Sequence, residues 1–454
     1  MSNRNIAIVG SGLVGSLLAL YLLKKGYKVT IFDRRPDIRK AEFSGRSINL
    51  AMSNRGWNAL KQIGIADDIV PLGIPMDGRC LHVVGKESYN QPYGKEGEAI
   101  YSISRGVLNR KMIDLVAARG GVLKFNEKIW NIDLSEAKLY SGESAKSPWK
   151  EYQFDQIFGC DGAFSMVRHN MQRRSRFDYS QSFLEAGYKE LTIPAGEGGT
   201  YLLEKNKLHI WPRGKFMLIA LPNLDGSFTC TLFLPYEGKH SFENLTTKEA
   251  LLDFWKMFFP DTLALMPTLV SDFFENPTSA LVTIKCFPWA YKDKVVLVGD
   301  AAHAIVPFYG HGMNAGFEDV YELDKIIDAF EGDDWGQIFK TFQKQRKPNA
   351  DAIATLSYNN FLEMSQKTAD PTFLLRKKIE RKFAEIYPEL WKPLYSRVTF
   401  SRNSYHEALE IGKRQAQIMD EIMALPDIEL RSEDSEIMTH IKTRVEAQRI
   451  SLGV

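Results

Sequence analysis

At 454 residues the chain is long enough for two or three domains with sizeable cores. Its 58 lysines and arginines against 56 acidic residues leave a formal charge of +2, which offers no basic field to nucleic acid. The four cysteines, Cys80, Cys160, Cys230 and Cys286, lie far apart with neither CxxC nor metal-type spacing, so they read as buried thiols of a reducing compartment and no metal site is expected.

The chain opens on a short buried-strand pattern, Ile6–Val9, followed by Gly10, Gly12 and Gly15 in a GxGxxG spacing. An apolar helix over Leu13–Leu23 and a second strand over Lys28–Phe32 come next, and Asp33 stands 18 residues after Gly15. Glycines here permit a tight turn and close approach to a pyrophosphate, the helix N-terminus faces the phosphates, and the acid reaches a ribose hydroxyl. Such a Rossmann start holds either FAD or NAD(P). Ile6–Leu23 is also 18 residues without a charge, long enough to imitate a membrane span. Three spaced glycines and an immediate second strand exclude that reading, and no cationic lead with a small-residue cleavage site precedes it.

Further along, Asn54–Ile63 is helical in pattern, Leu81–Val84 reads as a strand, and Asn90–Gly97 is polar and turn-rich. Ser104–Arg119 is an amphipathic helix with Ser104 at its N-cap, and Val122–Phe125 and Phe154–Phe158 are strands. From about Phe177 to Thr283 short alternating strands dominate, among them Lys207–Trp211, Phe216–Leu221 and Phe228–Leu234, with a turn at Asn223–Gly226. Val295–Val298 returns to a buried parallel strand, Gly312–Phe330 is the helix after it, and from Trp335 the pattern is helical, with turns at Asp370–Pro371 and around Pro388–Pro393. The expected fold is α/β, with a dinucleotide-binding domain over 1–176 that carries a substrate segment at about 73–100. An antiparallel-sheet domain is inserted over 177–284, the first domain resumes over 285–334, and 335–454 is a helical region. Residues 425–454 mix acids and bases with no long apolar run, which predicts a soluble cytoplasmic protein without a membrane anchor.

Two more motifs carry chemistry. Cys160–Asp161–Gly162 is followed by Arg168, and Gly299–Asp300–Ala301–Ala302–His303 ends a strand. A carboxylate at such a point accepts hydrogen bonds from ribityl or ribose hydroxyls. The loop Val306–Asn314 opens a helix, so its free N–H groups and positive dipole end suit the anionic edge of a reduced flavin. Only one GxGxxG is present, and the CxxxxC of disulfide reductases and the WxWxIP of flavin halogenases are both absent.

GxGxxG, DG and GD in that order resemble the aromatic-ring hydroxylases, a family of FAD-dependent single-component monooxygenases. Seven segments resemble the members that hydroxylate kynurenine: Gly45–Leu60, Gly73–His82, Pro92–Asn109, Leu221–Pro235, Gly310–Asp319, Leu356–Met364 and Pro393–Ser401. The resemblance implies a Rossmann-type FAD domain, transient NADPH, and L-kynurenine and O₂ as substrates. Oxygen insertion at ring carbon 3 would pass through a flavin C4a-hydroperoxide, in a place in tryptophan degradation and pyridine nucleotide biosynthesis. It places Arg79, Tyr93, Asn360 and Tyr395 on the amino-acid end of the substrate and Phe233, Pro307, Phe308 and His311 around the pocket. For FAD it implies Gly10, Gly12, Leu13, Val14, Gly15, Asp33, Arg34, Arg105, Asp161, Asp300, Gly312, Met313 and Asn314. An α-amino acid carboxylate needs a charge-assisted, two-pronged partner, which a guanidinium supplies. No residue is assigned as acid or base, because the substrate's aniline nitrogen itself activates the ring. His311, read as a positional group, departs from the Gln common in the family; both side chains donate and accept hydrogen bonds, but a His near a reference pKa of ~6.5 can also take up a proton, which leaves the pH profile open and the reaction unchanged. The tail departs too, lacking the apolar anchor of animal members. Rival readings are a flavin hydroxylase of a simple phenol and a non-catalytic dinucleotide sensor.

Overall fold

A computed structural model describes residues 4–40, 48–94, 97–142, 144, 146, 148–330, 334–364 and 370–451. Gly45, Arg46 and Ser47 of one resemblance segment, Lys95 and Glu96 of another, and the last three residues of the tail lie outside the described residues.

Ile6, Ala7, Ile8 and Val9 have no polar alternation because their strand is covered on both faces. It forms the middle of a six-stranded sheet ordered Ala290–Tyr291, Val295–Leu297, Gln156–Gly159, Asn5–Val9, Lys28–Phe32, Val122–Lys124. All pairs are parallel except the short edge strand Ala290–Tyr291. Helices Leu13–Lys24, Arg105–Ala118 and Gly312–Ala329 pack on this sheet, and Phe158, Trp335 and Phe339 meet edge-on beneath it. Ser104 stands at the N-cap of Arg105–Ala118 but makes no side-chain cap bond.

A seven-stranded sheet is the second layer. Its order is Ser279–Phe287, Asp178–Ile193, Phe228–Pro235, Phe216–Pro222, Lys207–Arg213, Gly78–Leu81, Tyr89–Pro92. Period-two alternation gives this sheet two different faces. Phe216, Leu218 and Ala220 join Trp211 and Phe228 in a core against helices Lys248–Phe258 and Leu269–Glu275, whereas Met217, Ile219 and Leu221 face the other way.

Three expectations fail here. The strand anticipated at Leu81–Val84 ends at Leu81, because Gly78–Leu81 pairs parallel to Lys207–Ile210. The polar stretch beginning at Asn90 is in part a strand, Tyr89–Pro92, paired antiparallel to it. The sheet region also holds helices Lys248–Phe258, Pro260–Leu263 and Leu269–Glu275, whose apolar residues cover one sheet face rather than extend the sheet.

The C-terminal helices Pro371–Ile386, Tyr405–Met423 and Ser435–Ser451 form a core of their own around Ile379, Phe383, Trp391, Ile418 and Ile441. No helix among the described residues is long and apolar enough to cross a membrane.

The first turn of the chain is tightly packed against the strand that ends at Gly159. Gly10 sits at φ +107°, and a Cβ there would lie 2.4 Å from the Cys160 carbonyl oxygen. A Cβ on Gly12 would meet nothing within 4 Å. Gly10→Ala is therefore expected to destabilise the flavin-free protein by about 1–3 kcal/mol through backbone strain alone. Gly12→Ala is expected to cost less than about 1 kcal/mol. Melting temperatures of the two flavin-free variants check the contrast.

Candidate functional site

Gly12 begins helix Leu13–Lys24 without any side-chain cap, so the first N–H groups are left to whatever occupies the open space at Gly12. Gly15 is held under Gly10, where a Cβ would lie 2.1 Å from the Gly10 carbonyl oxygen. Leu13 is buried in the sheet core, and Val14 is the side chain that a Cβ on Gly299 or Gly316 would strike. Asp33 ends the neighbouring strand. Its carboxylate accepts from Ser11 N–H at 2.9 Å, Ser11 Oγ at 2.7 Å and Arg35 Nε at 3.1 Å. Burial alone would raise its pKa, but the bonds from Arg35 and Ser11 outweigh it and bring it down to about 2. Arg35, not singled out from sequence, makes this pair; Arg34 is exposed beside it.

The DG and GD motifs close the same region. Asp161 accepts from Ser165 Oγ at 2.5 Å, Met166 N–H at 2.6 Å and Val167 N–H at 3.2 Å, so its carboxylate secures the start of helix Met166–Gln172. Asp300 is exposed after Gly299, and Arg105 is exposed at the first position of its helix.

Helix Gly312–Ala329 starts after Gly310, which adopts a left-handed conformation, and has neither a side-chain cap nor an acid in its first turn. The side chain of Asn314 donates to Ala51 O and Gly310 O and accepts from Ser53 N–H, each at 2.9 Å. It fixes the approach of the loop while the backbone N–H groups of Gly312 and Met313 stay at the open helix end. These features fit FAD: an open glycine cradle that suits a pyrophosphate, an acid at the end of the second strand, and a positive helix end that suits an anionic ring edge.

On the pocket face of the second sheet, Arg79 lies between two phenols. Its guanidinium carbon is 4.5 Å from the Tyr395 ring centroid and 5.3 Å from that of Tyr93. Burial would lower its pKa, but the Tyr395 and Tyr93 phenols raise it, so Arg79 stays charged. Its Nε and the Tyr93 hydroxyl are buried without a hydrogen-bond partner. Tyr93 and Tyr395 stack at 5.3 Å, and Tyr395 stacks on Tyr309 at 5.6 Å. Asn360 donates to the Phe308 carbonyl at 2.7 Å, which ties the long helix Trp335–Leu362 to the short turn Pro307–Tyr309. Phe308 packs on Phe233 at 4.9 Å and on Phe361 at 4.6 Å, making an aromatic wall. Phe361 and Tyr309 are parts of this wall that sequence reasoning missed.

His311 is buried behind the loop. It is 1 % exposed, its Nδ1 lies 2.8 Å from Tyr405 Oη, and its Nε2 lies 3.4 Å from Thr399 Oγ1. Burial, with the Arg55 charge nearby, lowers its pKa to about 3, so it remains neutral across the working range. The ring is a packing and hydrogen-bonding group.

The FAD binding domain family matches residues 3–357. A kynurenine 3-monooxygenase of Christiangramia forsetii is 63% identical over 434 residues, spanning 96% of this chain and 97% of the relative. Another, from Flavobacterium johnsoniae, is 61% identical and spans 93% of this chain and 95% of the relative. The chain belongs to the kynurenine 3-monooxygenase family. Likeness extends to the pig enzyme of the same name, 44% identical over 92% of this chain and 88% of the relative. Among solved structures, a tetrameric 2-methyl-3-hydroxypyridine-5-carboxylic acid oxygenase shares the fold with a TM-score of 0.67 at 19% identity, covering 83% of this chain and 96% of that one.

In this family member His311 makes its own contribution to the pH dependence of stability. Unfolded, the imidazole takes a proton near its ordinary value of 6.5, whereas the folded protein resists until about 3. Between those values the unfolded state binds more protons, so this residue makes stability fall as pH falls below about 6.5 and has no effect above it. His311→Gln is expected to lose less melting temperature than the parent between pH 7 and pH 5, and the pH–rate profile to lack any ionisation that the variant abolishes. Thermal melts and turnover across that range check both.

Proposed function

We propose that the chain hydroxylates L-kynurenine at ring carbon 3, using FAD, NADPH and O₂. The observation that carries this reading is Arg79: a charged guanidinium faced by phenols, with a buried Nε that lacks a partner. Such a group is stabilised when a carboxylate enters, and the planar fork matches a carboxylate in two bonds. Tyr93 and Tyr395 add phenol groups beside the same end of the ligand. The aromatic wall of Phe233, Phe308 and Phe361 receives the substrate ring and keeps water out. Asn360 acts on the substrate through the Phe308 backbone that it anchors, and the phenol clamp holds the amino-acid end in place.

Bound FAD supplies hydride acceptance from NADPH and activation of O₂. The open space at Gly12 would hold its pyrophosphate, Asp33 its ribose, and the helix end at Gly312 and Met313 its ring. Orientation is what this chain adds to the hydroxylation. The substrate's own amino group makes the adjacent ring carbon nucleophilic, so holding that carbon toward the flavin replaces the need for a protein base.

Anaerobic reduction of the flavin by NADPH, with and without L-kynurenine, tests cofactor and substrate together. Acceleration by kynurenine and none by a simple hydroxybenzoate is the expected result; the reverse pattern returns the phenol reading. Arg79→Ala is expected to lower kcat/KM by roughly 30- to several-thousand-fold, from the ~2–5 kcal/mol lost when one partner of a buried charge pair is truncated. Arg79→Lys recovers little of it, because an ammonium has no planar fork. Flavin content stays at the parent level in both. Steady-state kinetics with flavin occupancy measured alongside decides, and a loss below about threefold leaves Arg79 a structural cation of its strand.

A further inference from the structure

Behind Arg79, on the opposite face of the same strand, three groups converge that hydroxylation does not use. Cys80 pairs in register with His209 of the adjacent strand Lys207–Arg213. His82, two residues beyond Cys80, turns to the same face. The Cys80 sulfur and one ring nitrogen from each histidine all lie within 4.8 Å of one another. Cys80 is 3 % exposed and His209 1 %, whereas the His82 side chain keeps 14 %, which leaves a path from solvent.

The hydrogen bonds around the cluster fix the ring tautomers. His209 Nε2 lies 2.9 Å from the Glu204 carbonyl oxygen, which only accepts, so Nε2 carries the hydrogen and Nδ1 presents its lone pair to the cluster. That Nδ1 accepts from His82 Nε2 at 3.0 Å, so an incoming ion takes the place of this hydrogen bond and the His82 proton moves to Nδ1. The outer nitrogen of His82, Nδ1, lies 3.8 Å from Asp261 Oδ2, near enough for a small ring rotation to join them. Asp261 is in turn fixed by the Trp211 indole N–H at 2.6 Å, and the Trp211 ring stacks on His82 at 4.2 Å. Zn–S bonds of about 2.3 Å and Zn–N bonds of about 2.0–2.1 Å put ligand atoms roughly 3.3–3.6 Å apart around a tetrahedral ion. Side-chain rotation of the order of an ångström closes the observed spacing to that value.

We propose that Cys80, His82 and His209 form a binding site for a zinc-class divalent cation, with the fourth position open to water. Thiolate with two imidazoles selects zinc over magnesium or calcium, which take oxygen ligands. Binding releases the Cys80 thiol proton to solvent and joins strands Gly78–Leu81 and Lys207–Arg213 across their register. Sequence spacing offered no hint of this site, because His209 is brought to Cys80 by strand pairing across 129 positions of chain (209 less 80). Cys160, Cys230 and Cys286 belong to no such group among the described residues.

The test uses tag-free, FAD-loaded enzyme stripped with a chelator. Zinc titrated against a chromophoric chelator is expected to fill one tight equivalent and raise the melting temperature, since an ion that binds only the folded state stabilises it. Cobalt(II) is expected to give tetrahedral ligand-field bands at wavelengths longer than the flavin absorbs, together with a thiolate charge-transfer band. Loss of a group that merely supports a metal ligand costs 10–100-fold, so Cys80→Ser and His82→Gln, which remove ligands, should each weaken zinc binding at least about tenfold. Cys80→Ser should also erase the thiolate band, and both variants should keep parental flavin content and kynurenine turnover. Failure of the parent to take up an equivalent overturns the site, as does a cobalt spectrum without thiolate character or equal zinc affinity in parent and variants. The parent's cobalt spectrum decides the matter even where a variant fails to fold.

Discussion

One buried ionic network holds the catalytic half of this molecule together, and Asp319 is its centre. The carboxylate is wholly buried, accepts from Arg346 Nε at 2.7 Å and from Gly299 N–H at 3.2 Å, and pairs with His303. Burial would raise the Asp319 pKa, but His303 and Arg346 hold it down; the same contact raises that of His303, so the pair stays ionic. Arg346 also reaches Glu318 at 2.8 Å, and Glu318 pairs with Arg55. Arg55 donates to Val398 O at 3.0 Å, and its guanidinium lies 4.0 Å from the Tyr405 ring centroid. Five segments distant in sequence are thereby locked: the GD loop, the helix after it, the long helix Trp335–Leu362, helix Asn54–Gln62 and the start of the C-terminal region. Removing one member strands a buried charge at a cost of about 3–5 kcal/mol, although a well-packed apolar replacement of the whole set stabilises as well or better. The network's contribution is therefore geometric. It sets where the open end of helix Gly312–Ala329 points.

The second sheet divides its labour between two faces. Alternation puts Arg79 and the aromatic wall on the pocket side, and the Trp211–Trp255 core on the other. The clamp strand Gly78–Leu81 is paired on both sides, so the arginine stands on a rigid element. Its charge is desolvated before any ligand arrives, and part of the cost of binding is already met in folding. Each phenol contributes π-face contact to the cation, which stabilises a buried guanidinium that has no carboxylate beside it.

His311 shows how tertiary burial overrules residue type. An imidazole in a loop predicts a titrating group, yet contacts from Thr399 and Tyr405, some 90 residues downstream, remove it from water. Neutrality follows from desolvation and from Arg55 nearby. The position is then an uncharged hydrogen-bonding link between the loop and the C-terminal helices, a role that an amide also fills.

Much of the cofactor half was legible in the chain alone. The GxGxxG turn, its flanking strands and Asp33 are contiguous, and their spacing is set by local geometry: one turn, one helix, one parallel pair. The clamp residues were legible only by resemblance, because Arg79, Tyr93 and Tyr395 share no period or spacing. The ionic network, the Phe361 wall and the Cys80–His82–His209 cluster were not legible, and neither were the helices Lys248–Phe258 and Leu269–Glu275. Amphipathic pattern says that a face will be covered; it does not say by what. Sequence determined the elements whose physics is local, namely turns, caps and alternation. Pairing register and burial decided which distant side chains meet and which lose their water, and those two choices fixed the charge of Arg79, Asp319 and His311.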